Sequence, residues 1–144
     1  MKQDDTTKLY NYICKNAQMG VGTTSKLLSK IEDPQMCEQL REQHREYSSI
    51  YCSAKTALQD AGQQPRGLSR AAKARTSMMI AMETAMDPSD SHIAEMLMTG
   101  SNMGIIQGVR TTRKCPAADP QATDLMNRLM QFEESNYQAL KKFL

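Results

Sequence analysis

Between residues 34 and 61 the chain places Cys37, Leu40, His44, Tyr47, Tyr51, Ala54, Leu58 and Ala61 at steps that alternate three and four without a break. Only an α-helix gathers such positions onto one stripe. Alternation of this kind, sustained over many turns, is how long helices pack nearly parallel in a bundle. A stripe of that length cannot be buried alone, so the rest of the chain has to supply partners of similar length.

The remaining punctuation supplies them. "EDPQ" (32–35), "AGQQPRG" (61–67), "MDPSDS" (86–91) and "CPAADPQ" (115–121) hold all five prolines and most of the turn-forming residues. They divide the chain into five predicted helices at about 4–31, 34–61, 68–86, 91–114 and 120–143, helices 1 to 5, with ends uncertain by about two to four residues. Asp33 before Pro34 and Asp119 before Pro120 are N-cap and first-turn pairs. Gly62 suits a helix C-terminus. Helix 1 offers Tyr10, Ile13, Ala17, Gly20, Thr24, Leu27 and Ile31 as its face; helix 4 offers Ile93, Leu97, Gly100, Gly104 and Gly108; helix 5 offers Ala122, Leu125, Leu129, Phe132, Asn136, Leu140 and Phe143. No segment reads as a strand.

Glycines within "MGVGTTSKLL" (19–28) invite a phosphate-loop reading. The pattern G-x-x-x-x-G-K-[ST] fails, because Ser25 follows Gly20 by five and Leu27 follows Gly22 by five. The stretch belongs inside helix 1, with Gly20 on the buried face.

Helix 3 is unlike the others. Its first half, "RGLSRAAKAR", is basic, and its second, "SMMIAMETAM", is apolar on nearly every side. It is also short, about 28 Å at about 1.5 Å per residue. Short turns make neighbouring helices antiparallel. If helix 3 lies outside as a connector, helices 1, 2, 4 and 5 form an up-down-down-up four-helix bundle, the ferritin-like arrangement, with helix 3 as a helical crossover and helices 2 and 4 parallel. The 144 residues are expected to make a single helical-bundle domain, 1–144.

"HIAEMLMTGSNMGIIQGVR" (92–110) and "DLMNRLMQFEESNYQALKKFL" (124–144), with "KNAQMG" (15–20) and the "EDPQ" turn, resemble a family of small bacterial proteins with a ferritin-like bundle, found in anaerobic Gram-positive bacteria. The family has no established activity, so the resemblance implies a fold and no chemistry.

A ferritin-like bundle raises the question of iron. A di-iron site needs a Glu on each of two helices and E-x-x-H on each of the other two. Arg41 stands three before His44, Ser89 stands three before His92, and helix 5 has Glu133 and Glu134 but no His. No intact site is expected. His44 is a weak candidate for a lone metal site; the plainer reading is a stripe histidine held by Tyr47 or a backbone group. No cofactor is expected.

Gly100, Gly104 and Gly108 recur every four residues, and each costs a helix about 1 kcal/mol relative to Ala. Either another helix approaches closely, most simply helix 1 near Gly20, or a recess is kept for a ligand. The basic stripe Arg66, Arg70, Lys73, with Arg75 nearby, reads as a solvated face: net charge is only +2 and no aromatics interleave, so nucleic acid is not expected. Cys14, Cys37, Cys52 and Cys115 lack C-x-x-C spacing and read as free thiols. Cys37, in a first helical turn, has no His nearby to act as a base.

Apolar runs are too short to span a bilayer and "MKQDDTTK" is too polar for a signal peptide, which together point to a cytoplasmic protein that does not enter membranes. Met is common at 12 residues and Trp is absent, so core and contact surfaces use adaptable side chains. Met78, Met79 and Met82, with Ile80 and Met86, cover more than one face of helix 3 and predict a homodimer through it. The expected function is non-enzymatic binding, of an undefined small molecule or partner, or self-association; the alternative is a degenerate ferritin-like metal-binding or redox protein.

Overall fold

The computed structural model describes residues 4–144, and no strand occurs among them. The chain is a helical bundle of α1 (Asp5–Leu28), α2 (Pro34–Asp60), α3 (Arg70–Met86), α4 (Asp90–Lys114) and α5 (Pro120–Leu140), closed by a short 3₁₀ turn at Lys141–Phe143.

Each α-helix starts on a side-chain cap. Asp4, Asp33, Ser69, Ser89 and Asp119 accept hydrogen bonds from backbone N–H groups in the turns that follow them. Pro34 and Pro120 occupy first-turn positions, where the missing N–H costs nothing. Ser69 is why α3 begins at Arg70 rather than 68. At the other end of α2, Gly62 takes φ +73° and Gln63 N–H bonds back to Leu58 C=O at 2.8 Å, the six-to-one bond of a glycine-terminated helix. α1 stops at Leu28, short of Ile31, yet Ile31 still buries its side chain from the turn.

Side-chain bonds at the helix ends fix which ends meet. Asp5 Oδ2 accepts from Ala117 N–H at 2.9 Å, and Thr6 Oγ1 accepts from Asp119 N–H at 2.9 Å. At the opposite end, Asp90 accepts from Glu32 N–H at 3.0 Å and Asp33 N–H at 2.8 Å. The start of α1 therefore lies by the α4–α5 turn, and α2 and α4 both start at the other end. Arg128 of α5 reaches Glu46 and Ser49 of α2.

Two apolar clusters fill the bundle. One holds Leu9, Ile13, Ala17, Ile50, Leu58 and Met126; the other holds Leu27, Met36, Leu40, Ile80, Ile93 and Leu140. Between them, along α1, α2 and α5, fall Gly20, Thr24, Gln43, Glu133 and Asn136, all buried.

The buried stripes differ in part from those expected. α2 buries Met36, Leu40, Gln43, Tyr47, Ile50, Ala54 and Leu58. Cys37, His44 and Tyr51, one position further on, are half-buried, and Ala61 is exposed. α5 buries Met126 and Glu133 where Leu125 and Phe132 were expected. A helix facing several neighbours has a wide inner face, and two stripes one residue apart share Leu40, Tyr47, Ala54 and Leu58; the central one lies deepest. Phe132 remains useful at the side, its ring edge-on to Tyr47 at 4.7 Å.

α3 buries only Ile80 and Thr84. The segment before it is tied to α1, with Arg66 N–H donating to Asn11 Oδ1 and Leu68 N–H to Gln18 Oε1. Its far half meets α4 through Glu83 and His92, 3.1 Å apart.

Candidate functional site

The polar layer between the two apolar clusters opens into a cavity of about 610 Å³ to which all five α-helices contribute. Its floor is assembled by helical spacing. Tyr12, Asn16 and Gly20 lie four apart on α1, Gln43 and Tyr47 four apart on α2, and Ser101 and Gly104 three apart on α4; Glu133 enters from α5. Met19, Met79, Met96 and Met103 line it nearer the mouth, with Ile80 of α3 beside them.

Glu133 is the centre of the floor and only 1% exposed. The Tyr47 hydroxyl donates to its Oε1. Burial pushes the Glu133 carboxyl up from the ordinary 4.5 to about 7, while the Tyr47 and Ser101 hydroxyls pull it back down. Tyr47 itself is driven well above its usual 10, first by burial and then by the neighbouring carboxylate. The Tyr12 hydroxyl donates to the Gly104 carbonyl at 2.7 Å and accepts from Asn16 Nδ2 at 3.0 Å. Burial raises its pKa as well. Gln43 is 2% exposed, lines the cavity, and its Nε2 has no hydrogen-bond partner. A buried amide donor left unmatched costs about 1–3 kcal/mol.

The glycines singled out in the sequence have four different surroundings. A Cβ on Gly20 would land on the Tyr47 ring, so α2, rather than α4, makes the close approach there. A Cβ on Gly104 would lie 2.8 Å from Glu133 Oε2 and 2.9 Å from Asn16 Nδ2, which is where α4 meets α1 and α5. One on Gly108 would meet the thioether end of Met130. One on Gly100 would meet nothing within 4 Å. Gly20, Gly100 and Gly104 line the cavity; Gly108 does not.

His44 stands at the edge of this layer, its Nδ1 3.1 Å from Thr24 Oγ1, which in turn donates to the Gly20 carbonyl at 2.7 Å. The partner is a threonine rather than Tyr47 or the backbone. Among the described residues no group of three or more His, Cys, Asp or Glu could hold a metal ion. Cys37 Sγ lies 3.5 Å from the Ile31 carbonyl. Cys14 is buried, and burial lifts its thiol to about 11, which suits a packing role. Arg66, Arg70, Lys73 and Arg75 are all exposed. Met78, Met79 and Met82 are 65%, 57% and 60% exposed; Met79 alone of these reaches the cavity mouth. No helix among the described residues is long and apolar enough to cross a membrane.

Tyr12, Asn16, Gln43 and Ser101 were not picked out from the sequence, and Glu133 was weighed only as an iron ligand. The usable signal is a polar residue on a largely apolar stripe: Gln43 between Leu40 and Tyr47, Glu133 and Asn136 between Leu129 and Leu140.

No protein-family model, curated protein or solved structure matches the chain.

Proposed function

We propose that the protein is a non-enzymatic, cytoplasmic small-molecule-binding protein whose ligand sits in the interhelical cavity. The observation that carries this is that Gln43, alone of the unpartnered buried amides Asn11, Gln43 and Asn136, lines the same space of about 610 Å³ as the Glu133–Tyr47 pair. Buried polar groups are normally satisfied within the protein. A largely apolar space of a few hundred Å³ with a few convergent polar groups is the usual form of a ligand pocket. The floor offers phenols, amides and one carboxyl, groups that orient a ligand by hydrogen bonding.

The helix directions support the ferritin-like, up-down-down-up reading, with α3 as the crossover, and so the resemblance to the bacterial ferritin-like proteins. The metal or redox alternative is less favoured: His44 is engaged by Thr24, and Glu133 is the one carboxylate at the floor among the described residues, with Glu83 and Glu95 toward the mouth. Self-association is a second reading. Met78, Met82 and Met86 are 65%, 60% and 83% exposed, and a second copy of α3 about a two-fold axis would cover them.

The test is binding of the neutral dye N-phenyl-1-naphthylamine, followed by its fluorescence. One site per chain is expected. Gly100→Phe places a ring in the cavity where a Cβ meets nothing, and is expected to weaken the dye at least about tenfold while the fold is kept. No dye binding, or equal binding by both proteins, would refute the proposal.

A further inference from the structure

The ionisable groups lining the cavity are unbalanced. Glu133, Glu83 and Glu95 are carboxylates; against them stand Lys15 and His92, and His92 is already matched with Glu83. None of the cations is at the floor, where Glu133 stands with Tyr47, Ser101 and Gln43. An anionic headgroup there would set a second negative charge beside Glu133 in a space with no counter-charge. A cation would instead offset the cost of burying the carboxylate, whose Oε1 accepts from Tyr47 and whose Oε2 lies beside Gly104, with the Ser101 hydroxyl also bearing on the group. The rings of Tyr12 and Tyr47 line the same space and suit a cationic group. Gln43 Nε2, one helical turn from Tyr47, asks for the opposite partner, an acceptor oxygen. The methionines above ask for hydrocarbon of no fixed shape.

We infer that the cavity takes an amphipathic amino alcohol: a protonated amine on Glu133, a nearby hydroxyl oxygen on Gln43, and an aliphatic body beneath Met19, Met79, Met96 and Met103. This rests on the cavity being a binding site. Glu133 selects for the positive charge, Gln43 for the oxygen, and the chain length is set by the open mouth under α3.

Four probes with one chain length separate the contributions: 2-amino-1-octanol, octylamine, 1-octanol and octanoate, each competed against the neutral dye. Octylamine is expected to bind at least about tenfold more tightly than octanol, as for one charge-assisted hydrogen bond. The amino alcohol should gain a further factor of about three to ten for a neutral one, and octanoate should be weakest. Glu133→Gln should abolish the advantage of octylamine over octanol while octanol binding persists. Gln43→Leu should abolish only the advantage of the amino alcohol over octylamine. Glu133→Gln removes a buried ionisable group while keeping a carbonyl oxygen for Tyr47, and Gln43→Leu removes an unmatched amide, so both should fold, checked by circular dichroism. Equal binding of octylamine and octanol by the parent, tighter octanoate, or an amine preference that survives Glu133→Gln would overturn the inference and leave the cavity proposal standing. Equal binding of the amino alcohol and octylamine would overturn the role of Gln43. If dye and all four probes fail to bind, both proposals fall.

Discussion

Replacing Gly100 and Gly20 by alanine, one at a time, separates the two kinds of glycine in this bundle. Both lie inside helices, and in both the change restores about 1 kcal/mol of helix propensity. At Gly100 nothing lies within 4 Å of the new methyl, so the gain is unopposed. The expected net effect is about 1 kcal/mol of added stability, which for a chain of this size is about 2–4 °C in midpoint temperature. At Gly20 the methyl lands on the Tyr47 ring, which is held on its other sides by Phe132 and by its bond to Glu133. A flat ring so confined cannot turn aside, and overpacking of this kind costs about 1–3 kcal/mol. Gly20→Ala should therefore come out level with the parent or up to about 2 kcal/mol less stable. Gly108→Ala meets the flexible end of Met130, which can swing away, and should fall between the two. Urea unfolding followed by far-UV circular dichroism measures each difference directly. A Gly100→Ala protein no more stable than the parent, or a Gly20→Ala protein more stable than it, would refute the reasoning.

Two further outcomes are expected. Glu133 has a folded-state pKa raised from 4.5 to about 7, so the native state holds its proton more tightly than the unfolded chain, and stability falls as pH rises from about 4.5 through about 7. The full loss is about 3 kcal/mol, and Glu133→Gln should show a stability advantage over the parent that widens by roughly that amount between about pH 4.5 and pH 8; a constant difference would count against a buried, titrating carboxyl. For self-association, light scattering at tens of micromolar should give the mass of a dimer, and Met79→Glu should reduce it to a monomer; a parent that is already monomeric sinks the dimer.

What was legible in the sequence followed from local rules. Asp33–Pro34 and Asp119–Pro120 announce helix starts because their chemistry is complete within four residues, and Gly62 marks a helix end for the same reason. The shared stripe positions Leu40, Tyr47, Leu129 and Leu140 were legible from periodicity alone. The floor of the cavity was not. Periodicity sorts residues by polarity, so it assigned the inner face of α5 to Phe132 and left Glu133 outside. Nothing within α5 tells that Tyr47, 86 positions earlier, will arrive to donate a hydrogen bond. The repeat of Gly100, Gly104 and Gly108 was visible, but their different neighbours, none at Gly100 and residues of α1 and α5 at the other two, depend on packing that the repeat does not encode.

The location of the unfavourable features is itself an argument. Gly20 and Gly104, an unmatched Gln43 amide and a carboxyl raised to about 7 each lower stability by about 1–3 kcal/mol, and all of them border one cavity. The clusters on either side, around Ile13 and Leu58 and around Leu40 and Ile93, are apolar, fully buried and made of residues that fit one another. Leucine or alanine at the same positions of the middle layer would join these clusters into one continuous core, and by the physics of packing that bundle would be the more stable. The chain instead divides its core and holds the division open with Tyr47 braced on Gly20 and Tyr12 braced on Gly104. Comparable costs also fall outside the cavity, at the unmatched amides of Asn11 and Asn136 and at Gly108, but only the middle layer sets a buried carboxyl, an unmatched amide and two close-packed glycines around one space, the arrangement a ligand-binding floor uses.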